Sequence, residues 1–223
     1  MSDAVVDRLR GAPTTLLCDA LRASGRDPAR FVIAGLPPLV AVSGTVIGPA
    51  ITTRYEPSDA RATPDDVRRF VFDLIDGSRA GDIWVVGTGS DLILSMMGDI
   101  VALRCQQRGL AAAVIDGGCR DLAAIDALGF PVFARGPCPY GPFGAMRLVG
   151  ANVPVVCRGV EVRPGDLVAA DRDGVVVLPP DVAAEVAPLW QERAAKEARA
   201  RAQVAAGAPL SAAYPLTSLE PRR

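Results

Sequence analysis

Histidine is absent from the 223-residue chain, and lysine occurs only once, at Lys196. The first absence excludes catalytic triads built on imidazole, zinc sites with histidine ligands and histidine general bases. The second leaves any Schiff-base mechanism dependent on Lys196, whose surroundings, QERAAKEARAR, are typical of a solvated helix face. A reactive lysine needs a dry pocket that lowers its pKa. Catalysis by this chain would therefore use carboxylates, arginine, hydroxyls, thiols, backbone amides, water or a bound ion.

Several other features are missing. No window reaches the roughly 18 consecutive apolar residues of a membrane span, and the first residues lack a basic start followed by an apolar stretch. With a net charge of −1 and no basic run with interleaved aromatics, the chain lacks the features of a nucleic-acid binder. Its five cysteines form no CxxC pair, as expected of reduced thiols. We expect a cytoplasmic protein with neither a membrane nor a nucleic acid as partner.

The residues that are present describe one folded unit. Half of them are apolar and 22% are charged, as in ordinary globular domains. We predict a single domain over residues 1–223, closed by a helix over 181–206 and a tail over 207–223. Near the start, TTLLCDALRASG predicts a helix with Thr14 or Thr15 as its N-cap.

The middle of the chain alternates between two periodicities. Short apolar runs predict strands, and the segments between them have helical spacing: DIWVVG, GDIVALRCQQRG, LAAAVID, RDLAAIDALG and FPVFARG. Strand, helix, strand, helix, strand indicates a parallel sheet. From residue 152 to 179 the pattern becomes strand after strand with tight turns, which predicts antiparallel pairing.

Polar residues and glycines follow the first two strands of this parallel sheet. The loops are GTGSDLILSMMGD and GGCRD, and ligands bind beyond the carboxyl ends of such strands. The unpaired N–H groups from Gly98 to Ile100, where a helix begins, could bind a carboxylate or phosphate, and Arg120 could contact the same anion. GTGSDL lacks the third glycine of a dinucleotide-binding loop.

Simpler roles explain the same residues. Asp121 and Asp99 each lie in a predicted first helical turn, where aspartate is a common cap, and Arg120 could be an ion-pair partner of Asp121. The glycines could serve turn geometry alone. Cys119 is interpreted as a small packing residue, because no imidazole is available to activate it.

The spacing of these residues resembles a known family. Asp99, twenty residues and then Arg120-Asp121 match the D-x20-R-D motif of the 4-hydroxy-4-methyl-2-oxoglutarate/4-carboxy-4-hydroxy-2-oxoadipate aldolases, which share a fold with RraA-like proteins. GTVIGPAITTRY and VRPGDLVAADRDGVVVLP resemble further segments of that family, so the likeness extends over most of the chain.

The resemblance implies a fold and an activity. The fold would be an α/β three-layer β/β/α sandwich of the RraA-like, swivelling-domain type, with a parallel central sheet, an antiparallel second sheet and a long C-terminal helix. The chain would form a homotrimer or hexamer. Its activity would be that of a class II pyruvate aldolase dependent on Mg²⁺ or Mn²⁺, which cleaves a small 4-hydroxy-2-oxo acid. Decarboxylation of oxaloacetate, which passes through the same enolate, is expected as well.

Roles follow for individual residues. Asp121 resembles the metal ligand, Arg120 the arginine that contacts the pyruvyl oxygens, and Asp99 the residue that holds water on the metal. The backbone from Met97 through Gly98 and Asp99 to Ile100 resembles the cradle of the pyruvyl carboxylate. The distal substrate contacts are expected in GPCPYGPFGAM or on a neighbouring subunit.

Two observations bear on the alternative. Some members continue the motif with an acidic residue where this chain has Ala124. The resemblance therefore does not predict which groups form the outer hydrogen bonds of this site. RraA proper, a protein that binds and inhibits an RNA-degrading endonuclease, lacks an aspartate at the position of Asp121. That residue favours an enzyme over a regulator, and a homologue that has lost its activity is the third possibility.

Overall fold

The computed structural model describes residues 3–59 and 62–214, whose strands form a nine-stranded mixed sheet and a separate two-stranded one. The strands are β1 (Val32–Ile33), β2 (Val46–Pro57), β3 (Ile83–Gly87), β4 (Ser95–Met97), β5 (Ala112–Cys119), β6 (Val132–Pro137), β7 (Met146–Ala151), β8 (Val155–Cys157), β9 (Val160–Val162), β10 (Leu167–Asp171) and β11 (Gly174–Leu178). The helices are α1 (Asp3–Leu9), α2 (Thr14–Ala23), α3 (Pro64–Val67), α4 (Asp73–Asp76), α5 (Asp99–Arg108), α6 (Leu122–Leu128), α7 (Pro180–Ala205) and α8 (Leu210–Ala213). A 3₁₀ turn spans Pro28–Arg30, and a π turn spans Arg68–Phe72 between α3 and α4.

The two predicted kinds of pairing are both present. β3, β5 and β6 are parallel neighbours, as the alternating pattern predicts. β10 and β11 form an antiparallel hairpin, and β8 pairs antiparallel with β9. The long strand β2 connects the two halves, because it pairs parallel with β3 and antiparallel with β10.

The parallel and the antiparallel strands pack against each other, and helices cover the outer face of each set. On one face of the parallel strands, Trp84 and Ile115 pack with side chains from α4, α5 and α6. The opposite face packs against the antiparallel strands and the β8–β9 hairpin. A third cluster joins α1, α2 and α7 to β10 and β11. The predicted fold class, with its large sheet, smaller antiparallel sheet and long C-terminal helix, is thereby confirmed, and α7 matches the helix predicted over 181–206 to within one residue.

The predicted tail divides into a described and an undescribed part. α8 belongs to the first, and residues 215–223 lie outside the described residues. None of the helices in residues 3–59 and 62–214 combines the length and apolarity needed to cross a membrane.

The start of α2 corrects one expectation. Pro13 occupies the N-cap position, so neither Thr14 nor Thr15 caps the helix. Thr14 instead donates two hydrogen bonds to the buried Asp171, from its N–H at 2.8 Å and from its hydroxyl at 2.6 Å. Thr45 and the N–H of Asp173 donate to the same carboxylate. Asp171 therefore ties α2 to the end of β10.

We expect Asp171→Ala to destabilise the fold by about 3 kcal/mol, because it leaves two buried donors of Thr14 and two partly buried donors without an acceptor. Asp173→Ala, which removes an exposed carboxylate from the same turn, should change stability by less than about 0.5 kcal/mol. Chemical denaturation of both variants measures the difference. Equal stability of the two variants would contradict the role of Asp171.

The same contacts predict a pH dependence. Burial alone would raise the pKa of Asp171, but the hydrogen bonds from Thr14, Asp173 and Thr45 outweigh it and hold the pKa below its ordinary value of 3.8. A carboxylate with a lowered folded-state pKa stabilises the fold above its unfolded pKa and loses that contribution as the pH falls through the folded value. The difference in the free energy of unfolding between the wild type and Asp171→Ala should accordingly become smaller below about pH 4.

Candidate functional site

A short strand that the sequence pattern does not reveal brings the two predicted loops together. β4 pairs parallel with the end of β5, with Ser95 opposite Gly118 and Met97 opposite Cys119. The N–H of Arg120 continues this contact by donating to the carbonyl oxygen of Met97 at 3.1 Å. The residues that follow β4 therefore lie beside the residues that follow β5.

β5 itself is longer than expected. LAAAVID was predicted to end the strand before the glycines, whereas the strand continues to Cys119 and is buried throughout. At Gly118 a Cβ atom would lie 2.8 Å from the Cβ of Cys138, so the glycine permits close packing inside the sheet. Gly117 and Gly118 therefore lie within a buried strand rather than in a turn, and Arg120 and Asp121 follow that strand directly.

The beginning of α5 supplies backbone donors. Gly98 is the N-cap residue and has no side chain to cap the helix, which begins at Asp99. The first N–H groups of a helix have no partner within the helix, and here they include those of Asp99 and Ile100. The side chain of Met97 is buried and that of Ile100 is 79% exposed. At both positions we therefore expect the backbone, rather than the side chain, to contact the pyruvyl carboxylate.

Asp121 adopts a conformation that the capping interpretation does not predict. It occupies the N-cap position of α6 with φ 59° and ψ 33°, in the left-handed region, and its side chain makes no capping hydrogen bond. This conformation costs an L-residue about 1–2 kcal/mol, although aspartate tolerates it better than most. A strained polar residue of this kind is often found at a functional site.

The carboxylate of Asp121 is directed instead towards α5. Its Oδ2 lies 3.4 Å from the backbone N of Asp99 and 3.3 Å from the Nε of Arg120. Gly98 is essential to this approach, since a Cβ there would lie 2.6 Å from the Oδ2 and 3.0 Å from the Nε. The side chains of Arg120 and Asp121 remain 51% and 41% exposed, so both are accessible to a ligand. The structure thus brings together all six predicted site residues, namely Met97, Gly98, Asp99, Ile100, Arg120 and Asp121.

The arrangement offers a limited set of metal ligands. In residues 3–59 and 62–214, no three acidic or cysteine side chains cluster in a way that could hold a metal ion. Asp121 would supply a single carboxylate, and water and substrate oxygens would complete the shell. That donor set fits Mg²⁺ or Mn²⁺, hard ions that keep several waters and bind few carboxylates.

An apolar cavity of about 210 Å³ adjoins Gly98 and Arg120. Part of its wall is Gly141, Pro142 and Phe143, in the segment GPCPYGPFGAM where distal substrate contacts are expected.

Sequence reasoning missed a second polar cluster. Asp116 is buried inside β5 and forms an ion pair at 2.5 Å with Arg135 of β6. It also accepts a hydrogen bond from the N–H of Arg158, while Arg135 donates to the carbonyl of Ser90. These groups line a larger cavity of about 550 Å³. The buried charges that line this cavity are paired with one another. We therefore infer that they hold the loop before β4 in place.

Two remaining predictions concern neighbours of the site. Cys119 is buried, and burial raises the pKa of its thiol to about 11, which agrees with a packing role and disfavours a nucleophilic one. Ala124 is exposed on α6 and provides no acidic group to the site, and Asp126 is exposed further along the same helix.

The chain is similar to known proteins in both sequence and fold. A family model described as RraA-like, aldolase/RraA, matches residues 14–177. A protein of Halalkalibacterium halodurans, provisionally named as a 4-hydroxy-4-methyl-2-oxoglutarate aldolase, is 34% identical over 185 residues, which are 80% of each chain. An uncharacterised protein from Pseudomonas syringae superposes with a TM-score of 0.82 at 27% identity, over 96% of this chain and 98% of that one. A Streptomyces coelicolor member of the RNase ES inhibitor RraA family superposes with a TM-score of 0.78 at 27% identity, over 90% and 97% of the two chains.

Proposed function

This chain belongs to the RraA-like family, and from that premise we propose that it is a divalent-metal-dependent lyase acting on 4-hydroxy-4-methyl-2-oxoglutarate or a related 4-hydroxy-2-oxo acid. The relatives provisionally named as aldolases support a lyase. One observation carries the proposal further. The carboxylate of Asp121 and the guanidinium of Arg120 meet the N-terminus of α5, and Gly98 leaves room for both.

The residues of the site divide the work of substrate binding. The first N–H groups of α5, at the positive end of the helix dipole, bind the 2-oxo acid carboxylate. Arg120 donates to the pyruvyl oxygens and stabilises the negative charge that develops on the 2-oxo oxygen. Asp121 would hold Mg²⁺ or Mn²⁺, which supplies Lewis-acid polarisation of the 2-oxo group when bound. Asp99 orients water at the edge of the site.

The bond changes follow from this arrangement. The C3–C4 bond breaks, its electron pair remains on C3 as the pyruvate enolate, and C4 becomes a carbonyl as its hydroxyl loses a proton. Because the chain has no histidine, that proton passes to a carboxylate or to water. Oxaloacetate would lose carbon dioxide through the same enolate, which makes decarboxylation an expected second activity.

A coupled pyruvate assay tests the proposal. With Mg²⁺ or Mn²⁺ present, the purified protein should release pyruvate from a 4-hydroxy-2-oxo acid or from oxaloacetate, and EDTA should abolish the release. Adding excess Mg²⁺ back should restore it. Pyruvate release that is insensitive to EDTA would contradict the metal dependence. A lack of pyruvate release from any of these substrates would contradict the lyase activity.

A regulator is the second candidate, because the likeness to the RNase ES inhibitor family extends over most of the chain. Asp121 and its approach to α5 favour the enzyme. We further propose that the chain assembles as a trimer or hexamer. Exposed apolar side chains on α5 and beside α4, including Phe72, Ile100 and Leu103, are available for contact with another copy.

A further inference from the structure

The apolar cavity beside Arg120 bears on the class of substrate. It shares Met97, Gly98 and Arg120 with the proposed pyruvyl site, so a substrate bound there would extend its distal end towards the cavity. The rest of the wall includes the large side chains of Tyr55, Val71, Phe72, Phe143, Met146 and Leu148. Val71 and Phe72 belong to the π turn, a rare element that is frequent at functional sites.

The wall carries very little charge. Arg120 is the one ionisable lining residue, apart from Tyr55, in the described part of the chain, and the proposed function already engages it with the pyruvyl oxygens. Burial raises the pKa of Tyr55, so its hydroxyl stays neutral. A carboxylate placed in such a cavity would lose its hydration without gaining a partner, which is strongly unfavourable.

Three described arginines of the neighbouring elements are already paired with carboxylates, and a fourth, Arg69 of the π turn, lies over the ring of Phe70. Arg68 forms ion pairs with Asp65 and Asp73. Arg54 and Arg147 both pair with Glu56. None of these three arginines lines the cavity, so they offer no ready partner for a second carboxylate of the substrate.

We propose that this cavity receives an apolar group on C4 of the substrate, so that the preferred substrates are 4-hydroxy-2-oxo monocarboxylic acids with an alkyl or aryl substituent. This inference rests on the proposed function and narrows it, because it disfavours diacids such as 4-hydroxy-4-methyl-2-oxoglutarate. Cleavage of the C3–C4 bond then gives pyruvate and an apolar aldehyde or ketone, with the C4 hydroxyl proton transferred to C3 through water or a carboxylate.

Two measurements on the full chain with Mg²⁺ test the proposal. In the pyruvate assay, 4-hydroxy-2-oxo-4-phenylbutanoate should be cleaved with a kcat/KM at least about tenfold higher than that of 4-hydroxy-4-methyl-2-oxoglutarate. In calorimetric binding, 2-oxohexanoate should bind at least about tenfold more tightly than 2-oxoadipate, which carries a carboxylate at its distal end. Faster cleavage of the diacid, or tighter binding of 2-oxoadipate, would overturn the inference.

The calorimetric measurement distinguishes a failure of this inference from a failure of the proposed function. If neither acid is cleaved but 2-oxohexanoate binds more tightly, the lyase is wrong and the apolar cavity stands. If the diacid is cleaved faster, the lyase stands and the apolar substrate class is wrong. If neither 2-oxo acid binds, the cavity is not a substrate site and the inference fails.

A charge variant locates the preference in the cavity. Phe143 lines the cavity and is 58% exposed, so Phe143→Arg should fold and shift the kcat/KM ratio at least about tenfold towards the diacid. Phe143→Leu should keep the apolar preference. Tyr140→Arg is the matched control, because Tyr140 is 59% exposed on the same loop and does not line the cavity. An equal shift in Tyr140→Arg would show that the added charge acts without entering the cavity and would overturn the assignment.

Discussion

Asp121→Asn is expected to reduce pyruvate release by on the order of 10²–10³-fold or more while the protein stays folded. Asparagine has nearly the same shape and, like aspartate, tolerates the left-handed conformation observed at this position. What it removes is the negative charge that faces the N-terminus of α5 and the guanidinium of Arg120. A neutral amide would hold a divalent ion much more weakly than a carboxylate does.

Asp126→Asn provides the matched control for this variant. Asp126 is an exposed carboxylate on the same helix, α6. Its substitution should leave kcat and the dependence on Mg²⁺ unchanged. If Asp121→Asn kept more than half of the wild-type activity, Asp121 would be no more than a residue at a helix end.

Gly98→Ala is expected to lower kcat by on the order of 10²-fold, because displacing a catalytic group by about 1 Å is that costly. The added Cβ would lie 2.6 Å from the Oδ2 of Asp121 and 3.0 Å from the Nε of Arg120, so both groups would have to move. The fold should tolerate the change, since Gly98 has an extended backbone and both affected side chains are partly exposed. Gly98→Ala should therefore lose activity while its stability remains close to that of the wild type.

Gly136→Ala is the corresponding control. Gly136 lies in β6, and a Cβ there would meet no atom within 4 Å. Both variants should unfold within about 1 kcal/mol of the wild type, and only Gly98→Ala should lose activity. Loss of stability without a specific loss of activity in Gly98→Ala would mean that the glycine serves packing rather than the site.

The elements with strong periodicity were predictable from sequence. β3, α5, β6 and α7 have lengths and apolar spacings that leave little choice of structure. β4 was not predictable, because three residues within a long glycine-containing loop carry no periodicity and become a strand only through pairing with β5. The adjacency of Gly98 and Arg120 depends on that pairing.

The misjudged residues share a physical reason. Thr14 or Thr15 was expected to cap its own helix, but the carboxylate of Asp171, 157 positions beyond Thr14, accepts a hydrogen bond from the first N–H of that helix. The ion pair between Asp116 and Arg135 was not predictable from local sequence, because it requires β5 and β6 to be neighbours. Long-range partners override local preference in both cases, and a single sequence does not display them.

The identity of the site rests on a different kind of inference. From local chemistry alone, Asp121 could have been a helix cap, and the resemblance to the aldolase motif favoured a metal ligand instead. The observed backbone and the absence of a capping hydrogen bond argue against the cap. Among the described residues, however, no cluster of three acidic or cysteine side chains surrounds Asp121, so metal binding is the step on which the proposed function depends.

Electron paramagnetic resonance of Mn²⁺ titrated into the protein tests that step most directly, because it detects the ion without relying on turnover. We expect the wild type and Asp126→Asn to bind one Mn²⁺ per chain, and pyruvate to alter the spectrum of the bound ion. Asp121→Asn should bind at least about tenfold more weakly. Equal Mn²⁺ affinity in the wild type and Asp121→Asn would contradict the account.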